Sequence, residues 1–376
     1  MTNTVREYNH ARLAQAMTGE GLDAVIASSP WNVSYLSGLS IDFSLLTFLV
    51  TTQDGRQGLV INEADAYFLR NDSKIPDIRD YPYSDTTAVA AQRSVERLAE
   101  LLRDMGLTGG RLGIEGEFLP ARFRDALEEF VPDATLDNGS PALNEARIYK
   151  TPAEVAIMRR AAYYTDKAIH TGFALARPGD TERDVANAIQ SATLRYGATT
   201  LAHTVCSAGV QSTVVHAHPL DKPIVAGDVI HVDFGGRFEG YQTDLSRNAV
   251  VGDPSPRQRA IYQHLWDIEQ SIFANIKPGV VARDVFRLAE EAFERADLRY
   301  PWGTLGHSTG LLVHEGFEIT RTSERVIEAG MVLNIEPTHI EPGDARYHIE
   351  DTVLVTERGV EVLSNYSDPR QMYVIR

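Results

Sequence analysis

Two pairs of acidic residues stand among apolar neighbours at spacings that could do chemistry. Asp233 lies in the strand-like run Val229-Ile230-His231-Val232-Asp233-Phe234, and Asp244 in the run Tyr241 to Val251, with Arg237-Phe238-Glu239-Gly240 between them. This reads as a β-hairpin. With its turn centred between Phe238 and Glu239, the two aspartates become direct cross-strand neighbours. Like charges in that position are destabilising, so the pair either lies on a solvated face or holds a cation or a shared proton. The pattern recurs in Leu333-Asn334-Ile335-Glu336 and Tyr347-His348-Ile349-Glu350-Asp351, which flank the turn Glu341-Pro342-Gly343-Asp344 and place Glu336 and Glu350 symmetrically about Gly343. Two independent hairpins with the same feature disfavour the solvated face and point to one or two divalent ions.

A nitrogen ligand would complete such a centre. His307 in Gly306-His307-Ser308-Thr309-Gly310 is the candidate, because the glycines permit close backbone approach. Ligation mostly by oxygen favours Mn²⁺, with Co²⁺, Fe²⁺ and Zn²⁺ also fitting. Two bridged ions lower the pKa of a shared water and polarise a carbonyl, which is the chemistry of amide hydrolysis with water as the nucleophile. His216 in Val215-His216-Ala217-His218-Pro219 and His314 in Val313-His314-Glu315 could hydrogen-bond the scissile amide or its oxyanion. On spacing alone, a structural role is the commoner one for each.

The elements that must position these residues follow from periodicity. A helical pattern covers Tyr8 to Gly21, followed by an apolar strand from Leu22 to Ala27 and a turn at Ser29-Pro30. Leu45 to Thr51, Gln57 to Ile61 and Arg111 to Ile114 read as further strands and Thr87 to Met105 as a helix, giving an α/β domain over residues 1–145. Asn144 to Lys150 reads as a linker. Thr151, Pro152 and Glu154 then open a helix with a capping box, and a second domain follows over 151–376. Inside it, FALARPGDTERDV at Phe173 to Val185 echoes FANIKPGVVARDV at Phe273 to Val285 at an offset of 100 residues. One unit occurring twice implies a pseudo-twofold domain with a cleft between its halves.

Composition narrows the function classes. The 376 residues suit two domains, and 43% hydrophobic with 23% charged residues suits a water-soluble protein. No run approaches the ~20 apolar residues of a membrane span. A polar N-terminus, MTNTVREYNH, lacks a signal-peptide pattern, so a cytoplasmic location is expected. The net charge of -16 argues against a nucleic-acid partner. A single cysteine, Cys206, excludes an intramolecular disulfide and a thiolate metal cluster.

These motifs resemble those of the pita-bread superfamily of prolidase, Xaa-Pro aminopeptidase, methionine aminopeptidase and creatinase. Five occur in the family's order: Asp233-Phe234-Gly235, Thr243-Asp244-Leu245-Ser246-Arg247, Gly306-His307-Ser308-Thr309-Gly310, Ile335-Glu336-Pro337 and Ile349-Glu350-Asp351. The resemblance implies an α+β pita-bread C-terminal domain with an internal pseudo-twofold repeat, preceded by the α/β domain of the creatinase and prolidase layout. It implies two divalent ions, with Asp233 on one, Asp244 and Glu350 bridging, and His307 with Glu336 on the other. Glu336 is further implied in proton transfer, His216 and His314 in catalytic support, and the chain in homodimers.

What the resemblance implies about activity is hydrolysis of an Xaa-Pro peptide, by a dipeptidase or an aminopeptidase, through attack of a metal-bridging water. The substrate is then a small peptide or small amide. Two positions depart from the pattern: Gly303 stands where the peptidases often have histidine, and His348 where they usually have arginine. These departures keep an alternative open, in which the same site acts on a non-peptide, as an ectoine-type amidine hydrolase or a sulfonium-propionate lyase does. The complete ligand set disfavours a binding module without catalysis.

Overall fold

The computed structural model describes residues 3–39, 46–72, 74–83 and 87–376. It divides into two compact units, 1–147 and 148–376. The first unit is a six-stranded mixed sheet with helices. Its strands are β1 (Ala24–Ala27), β2 (Phe48–Thr52), β3 (Gln57–Asn62), β4 (Asp77–Tyr81), β5 (Arg111–Ile114) and β6 (Thr135–Asn138), in the order β4-β3-β2-β1-β5-β6. Its helices are α1 (Asn3–Glu20), α2 (Pro30–Ser37), α3 (Glu63–Asp72), α4 (Thr87–Asp104), α5 (Ala121–Phe130) and α6 (Ser140–Ile148). Ile26, Val50, Val60, Leu98, Leu102 and Leu112 are among its core residues.

Three local expectations are corrected here. Ser29-Pro30 starts a helix instead of a turn: Ser29 Oγ accepts the Asn32 N–H, and Pro30 supplies the fixed φ of the first helical position. The segment read as a linker is mostly helical, since α6 runs through Ile148. Strand β2 begins at Phe48, and Leu45 lies outside the described residues.

In the second unit the capping box forms as its sequence requires, with Thr151 Oγ1 accepting from Glu154 N (3.2 Å) and Glu154 Oε2 from Thr151 N (2.7 Å). It opens α7 (Pro152–Leu175), followed by α8 (Glu182–Arg195), β7 (Thr200–Ala208), β8 (Val229–Phe238), β9 (Tyr241–Gln242) and β10 (Leu245–Val251). The second half repeats this with α9 (Pro256–Asn275), α10 (Ala282–Arg295), β11 (Thr304–Ser308), β12 (Glu318–Thr320), β13 (Val332–Ile335), β14 (Thr338–Ile340), β15 (Arg346–His348), β16 (Asp351–Thr356) and β17 (Gly359–Val362). Strand β18 (Tyr373–Ile375) returns to pair with β10, giving sheets ordered β18-β10-β8-β7 and β12-β11-β13-β16-β17.

The duplication extends to individual hydrogen bonds. Gly179 N donates to Ile224 O (2.9 Å), and Gly279 N to Ile327 O (2.8 Å). Glu182 N donates to Lys222 O and Ala282 N to Arg325 O, while Arg183 N donates to Leu220 O and Arg283 N to Ser323 O. The two Pro-Gly turns need left-handed glycines, and both have them, with φ 95° at Gly179 and 93° at Gly279. The strands continue the correspondence: Val205 faces Asp233 in one half, and Leu305 O accepts the Glu336 N–H in the other. Asp233 and Glu336 are thus equivalent positions. Each half packs its helix pair on its own sheet, with Ile169, Phe173 and Ile189 against Val232 and Phe234, and Leu265, Phe286 and Phe293 against Leu305 and Leu333. A bridge between Ser246 and Glu350 joins the two sheets.

One buried acid in this unit is not committed to the site. Glu269 on α9 is fully buried, and burial first, then the charge of Asp351, hold its carboxyl well above the ordinary range. An acid whose folded pKa is raised leaves stability intact below the unfolded pKa near ~4.3 and removes it as pH climbs toward the folded value. Glu269→Gln is therefore expected to melt like the parent at pH 4 and higher than it at pH 8, the gain growing by up to about 1.4 kcal/mol per pH unit within that window. Thermal melts across pH check this, and a variant less stable at pH 8 would contradict it. Among the described residues, no helix is long and apolar enough to cross a membrane.

Candidate metal centre

The elements bring the acidic residues of both halves to one place. Asp233 projects from β8, Asp244 from the break between β9 and β10, His307 from β11, Glu336 from just after β13 and Glu350 from just before β16. The first hairpin differs from its expected register. Its turn is Glu239-Gly240, both with positive φ (50° and 94°), as a two-residue turn of this twist requires. Asp233 therefore faces Ser246, and Asp244 sits two residues along. A shift of two keeps the face, so the aspartates remain neighbours on one side of the sheet. The second hairpin has the expected register: Thr338 faces His348 and Ile335 faces Asp351, which sets Glu336 level with Glu350.

Close backbone approach is what the glycines provide. A Cβ on Gly306 would stand 2.1 Å from Asn334 O, and one on Gly235 would stand 2.0 Å from Thr243 O. Behind the carboxylates, Asn334 Nδ2 donates to Glu350 Oε1 (2.9 Å) and to Asp244 O (2.8 Å). His307 is 1% exposed, and its Nδ1 lies 3.3 Å from Ser308 O. With the proton on Nδ1, the Nε2 lone pair faces Asp244 Oδ2 at 3.5 Å and Glu350 Oε1 at 3.8 Å. These separations exceed a hydrogen bond, and they match neighbouring ligands that each reach one ion at about 2.0–2.2 Å.

The electrostatics call for positive charge. Without a cation, burial pushes Glu336 up to about 7, with Asp244 and Asp233 adding to the shift against His307. Burial and repulsion from Asp244, Glu336 and Asp233 hold Glu350 well above the carboxylate range. Oxygen and imidazole donors in buried, mutually repelling positions fit divalent metal, and four overlapping groups of such atoms occur: His203, Asp233 and Asp244; Asp244, His307 and His314; Glu336, His348 and Glu350; His231, Asp233 and His348.

A cavity of about 680 Å³ opens onto this cluster, lined by Asp233, Asp244, Glu336 and Glu350 and by both histidines singled out in the sequence. His216 is exposed on the loop after β7. His314 stacks on His307 at 3.7 Å between ring centroids. Its loop is braced by Glu315, whose Oε2 accepts the Leu311 N–H and whose Oε1 pairs with buried Lys150 at 3.0 Å.

Sequence reasoning missed several neighbours. His203 on β7 places Nε2 3.0 Å from Asp233 Oδ1 and 3.0 Å from Asp244 Oδ1, and both carboxylates hold it well above the usual histidine range against the opposing effect of burial. His348, one of the departures from the family pattern, stacks on His231, whose Nε2 lies 3.2 Å from His348 Nδ1. Burial keeps both neutral, lowering His231 to about 3. The sequence signal for His203 is the repeat offset, which pairs it with Gly303.

Comparison with known proteins decides the family. The sequence model of metallopeptidase family M24 matches residues 156–357, more than half of the chain. The chain belongs to metallopeptidase family M24. It is accordingly a metal-dependent hydrolase, and the creatinase/prolidase N-terminal domain model matches residues 10–149 before the M24 region. The M24 chain is 29% identical over 364 residues to the Xaa-Pro dipeptidase of Pyrococcus furiosus, covering 94% of this chain and 96% of that protein. It superposes on dipeptidase PepE from Mycobacterium ulcerans with a TM-score of 0.85 and 27% identity, covering 100% and 99% of the two chains. An Xaa-Pro dipeptidase from Bacillus anthracis, at 23% identity, shares the fold with a TM-score of 0.87 over 98% of this chain and 100% of that one. The pita-bread fold read from the motifs is the fold these M24 proteins have.

Proposed function

We propose that this M24 hydrolase cleaves the bond before proline in a short Xaa-Pro peptide, with Asp233, Asp244, His307, Glu336 and Glu350 holding two divalent ions, Mn²⁺ favoured. The observation that carries this reading is the convergence of four carboxylates, Asp233, Asp244, Glu336 and Glu350, on one cavity, with buried His307 within 4 Å of Asp244 and Glu350, in a chain similar along its length to an Xaa-Pro dipeptidase. Divalent ions at such a centre supply Lewis acidity and lower the pKa of bound water. The chain's own groups do the rest. Glu336, which lines the cavity beside the ions it would hold, takes and returns the proton at its Oε atoms. His314, stacked on His307, and His216, which lines the same cavity, are assigned to hydrogen-bond the scissile amide and its developing oxyanion. Asn334 fixes the orientation of Glu350.

Gly303 and the neutral His348 favour a second reading, in which the same centre opens a non-peptide cyclic amidine of the ectoine kind. The two are separated by mass spectrometry of products after the Mn²⁺-loaded protein meets Xaa-Pro dipeptides, longer Xaa-Pro peptides and ectoine-like amidines, with chelated protein as control. Metal-dependent release of proline from dipeptides is the expected result. Silence on all peptides with turnover of a cyclic amidine would move the assignment to the second reading.

A further inference from the structure

In the arrangement the motifs imply, the two ions have unequal donors. His307 supplies a nitrogen on the side of Glu336, whereas the ion at Asp233 has carboxylates only. A further imidazole stands there. His203, on β7, places Nε2 3.0 Å from Asp233 Oδ1 and 3.0 Å from Asp244 Oδ1, and it lines the same cavity. One donor atom from each of His203, Asp233 and Asp244 lies within 4.8 Å of the other two.

The fold aims this ring. Strand β7 carries one extra residue between Leu201 and His203 where it pairs with β8, a bulge that sets His203 opposite Gly235 and two residues from Val205, which faces Asp233. His203 and Asp233 are therefore same-face neighbours on paired strands. A Cβ at position 235 would stand 2.9 Å from His203 Cε1, so the glycine leaves the imidazole the space it occupies.

A hydrogen bond accounts for one of the two contacts. An imidazole nitrogen carries at most one hydrogen, and the geometry of a hydrogen bond is met toward Asp233. Asp244 Oδ1 lies equally close, is buried and has no hydrogen-bond partner. An acceptor left bare in that position is costly unless something positive stands between the three atoms. Ligands held at about 2.0–2.2 Å and at right angles on one ion lie roughly 2.8–3.1 Å apart, which is the spacing of His203 Nε2 from both oxygens.

We propose that His203 is a sixth protein ligand of the centre, giving the ion at Asp233 a nitrogen donor and with it a raised affinity for ions of the Co²⁺ and Zn²⁺ kind. This rests on the metal set proposed above and adds to it a ligand outside the five motifs. A neutral ring with its proton on Nδ1 presents the Nε2 lone pair to both aspartates. Imidazole suits Co²⁺ and Zn²⁺ better than Mn²⁺, so the gain is larger for Co²⁺. A ring that only neutralised the aspartates would do the opposite, since metal would have to displace it.

The test loads the parent and His203→Gln with two equivalents of Co²⁺ and counts imidazoles by X-ray absorption at the cobalt edge, with calorimetric titration of Co²⁺ and Mn²⁺ alongside. The parent is expected to show one imidazole per ion, from His203 and His307, and the variant half that number. Glutamine keeps an N–H donor for the aspartates, so loss of a hydrogen bond alone does not imitate loss of a ligand. The variant is expected to bind Co²⁺ more weakly at one of the two ions by on the order of 100-fold, and Mn²⁺ by a smaller factor. Half an imidazole per ion in the parent would overturn the proposal, and that measurement stands if the variant misfolds. Unchanged or tighter Co²⁺ binding by a folded His203→Gln would overturn it as well, and in either case two bound ions leave the five-residue set standing. A parent that binds no divalent ion removes that set and the proposal together.

Discussion

Glu350→Gln is expected to lose bound metal and turnover together, and yet to melt higher than the parent when both are metal-free at neutral pH. The opposite signs come from one cause. In the metal-free protein Glu350 is fully buried among Asp244, Glu336 and Asp233, and burial with their repulsion holds its carboxyl well above the ordinary range. A raised acid costs nothing below the unfolded pKa and disfavours the fold increasingly as pH rises toward the folded value, so at pH 7.5 its removal relieves the fold. Glutamine keeps an oxygen for the Asn334 Nδ2 donor now 2.9 Å from Glu350 Oε1, which preserves the local packing. Metal reverses the balance. A cation at 100 times its Kd stabilises the parent by about 2.7 kcal/mol. Losing a supporting residue costs 10- to 100-fold in metal affinity, and losing a ligand is expected to exceed about 100-fold, which erases that gain at the same Mn²⁺ concentration. Melts with and without Mn²⁺, metal content by mass spectrometry, and turnover check this. Full metal occupancy with undiminished turnover would sink the assignment of Glu350. A variant destabilised equally with and without metal would mark it as structural.

How far the sequence reveals this centre depends on how local each constraint is. Asp233, Glu336 and Glu350 stand out as acids in strand-like apolar runs, Asp244 by its hairpin pairing with Asp233, and His307 by its flanking glycines. The second hairpin could be registered from Pro342-Gly343, whose turn closes symmetrically, whereas the first misleads by placing a glutamate at positive φ. Face survived that error because sidedness repeats every two residues. The repeat is legible only at its Pro-Gly turns, where left-handed glycine is required in both copies, and its strands have diverged into His203 in one half and Gly303 in the other. In the first unit, β4 (Asp-Ile-Arg-Asp-Tyr) is half-buried and mostly charged, so it offers no strand periodicity, and α3, α5 and β6 went equally unread. His203 and Asn334 act through contacts with residues distant in the chain, such as Asn334 with Asp244, and no spacing rule exposes those.

Arg247 shows the same limit in a residue the motif does contain, and its replacement by methionine is expected to destabilise the second unit by about 3–5 kcal/mol. Position within Thr243-Asp244-Leu245-Ser246-Arg247 invites a catalytic role, but the side chain turns away from the cavity into the protein. There its Nη2 meets Asp351 Oδ1 at 2.6 Å, its Nε lies 3.2 Å from Asp166 Oδ1 on α7, and its Nη1 donates to Glu350 O (2.8 Å) and Ser246 O (3.0 Å). All three charged side chains are at most 5% exposed. Methionine fills much of the volume and leaves two buried aspartates without their cation, which is the costly way to break such a network. At about 2–4 °C per kcal/mol for a unit of this size, the melting temperature should fall by roughly 6–20 °C. Lysine should recover only part of this, because one ammonium cannot replace the fork that reaches both carboxylates and two carbonyls. Because Arg247 grips the backbone of Ser246 and Glu350 where the two sheets bridge, the variant should also bind Mn²⁺ more weakly while keeping every proposed ligand. Thermal melts and metal titration measure both effects. A variant with unchanged melting temperature would show that the network contributes no net stability, and unchanged metal affinity would show that the bridge holds Glu350 without it.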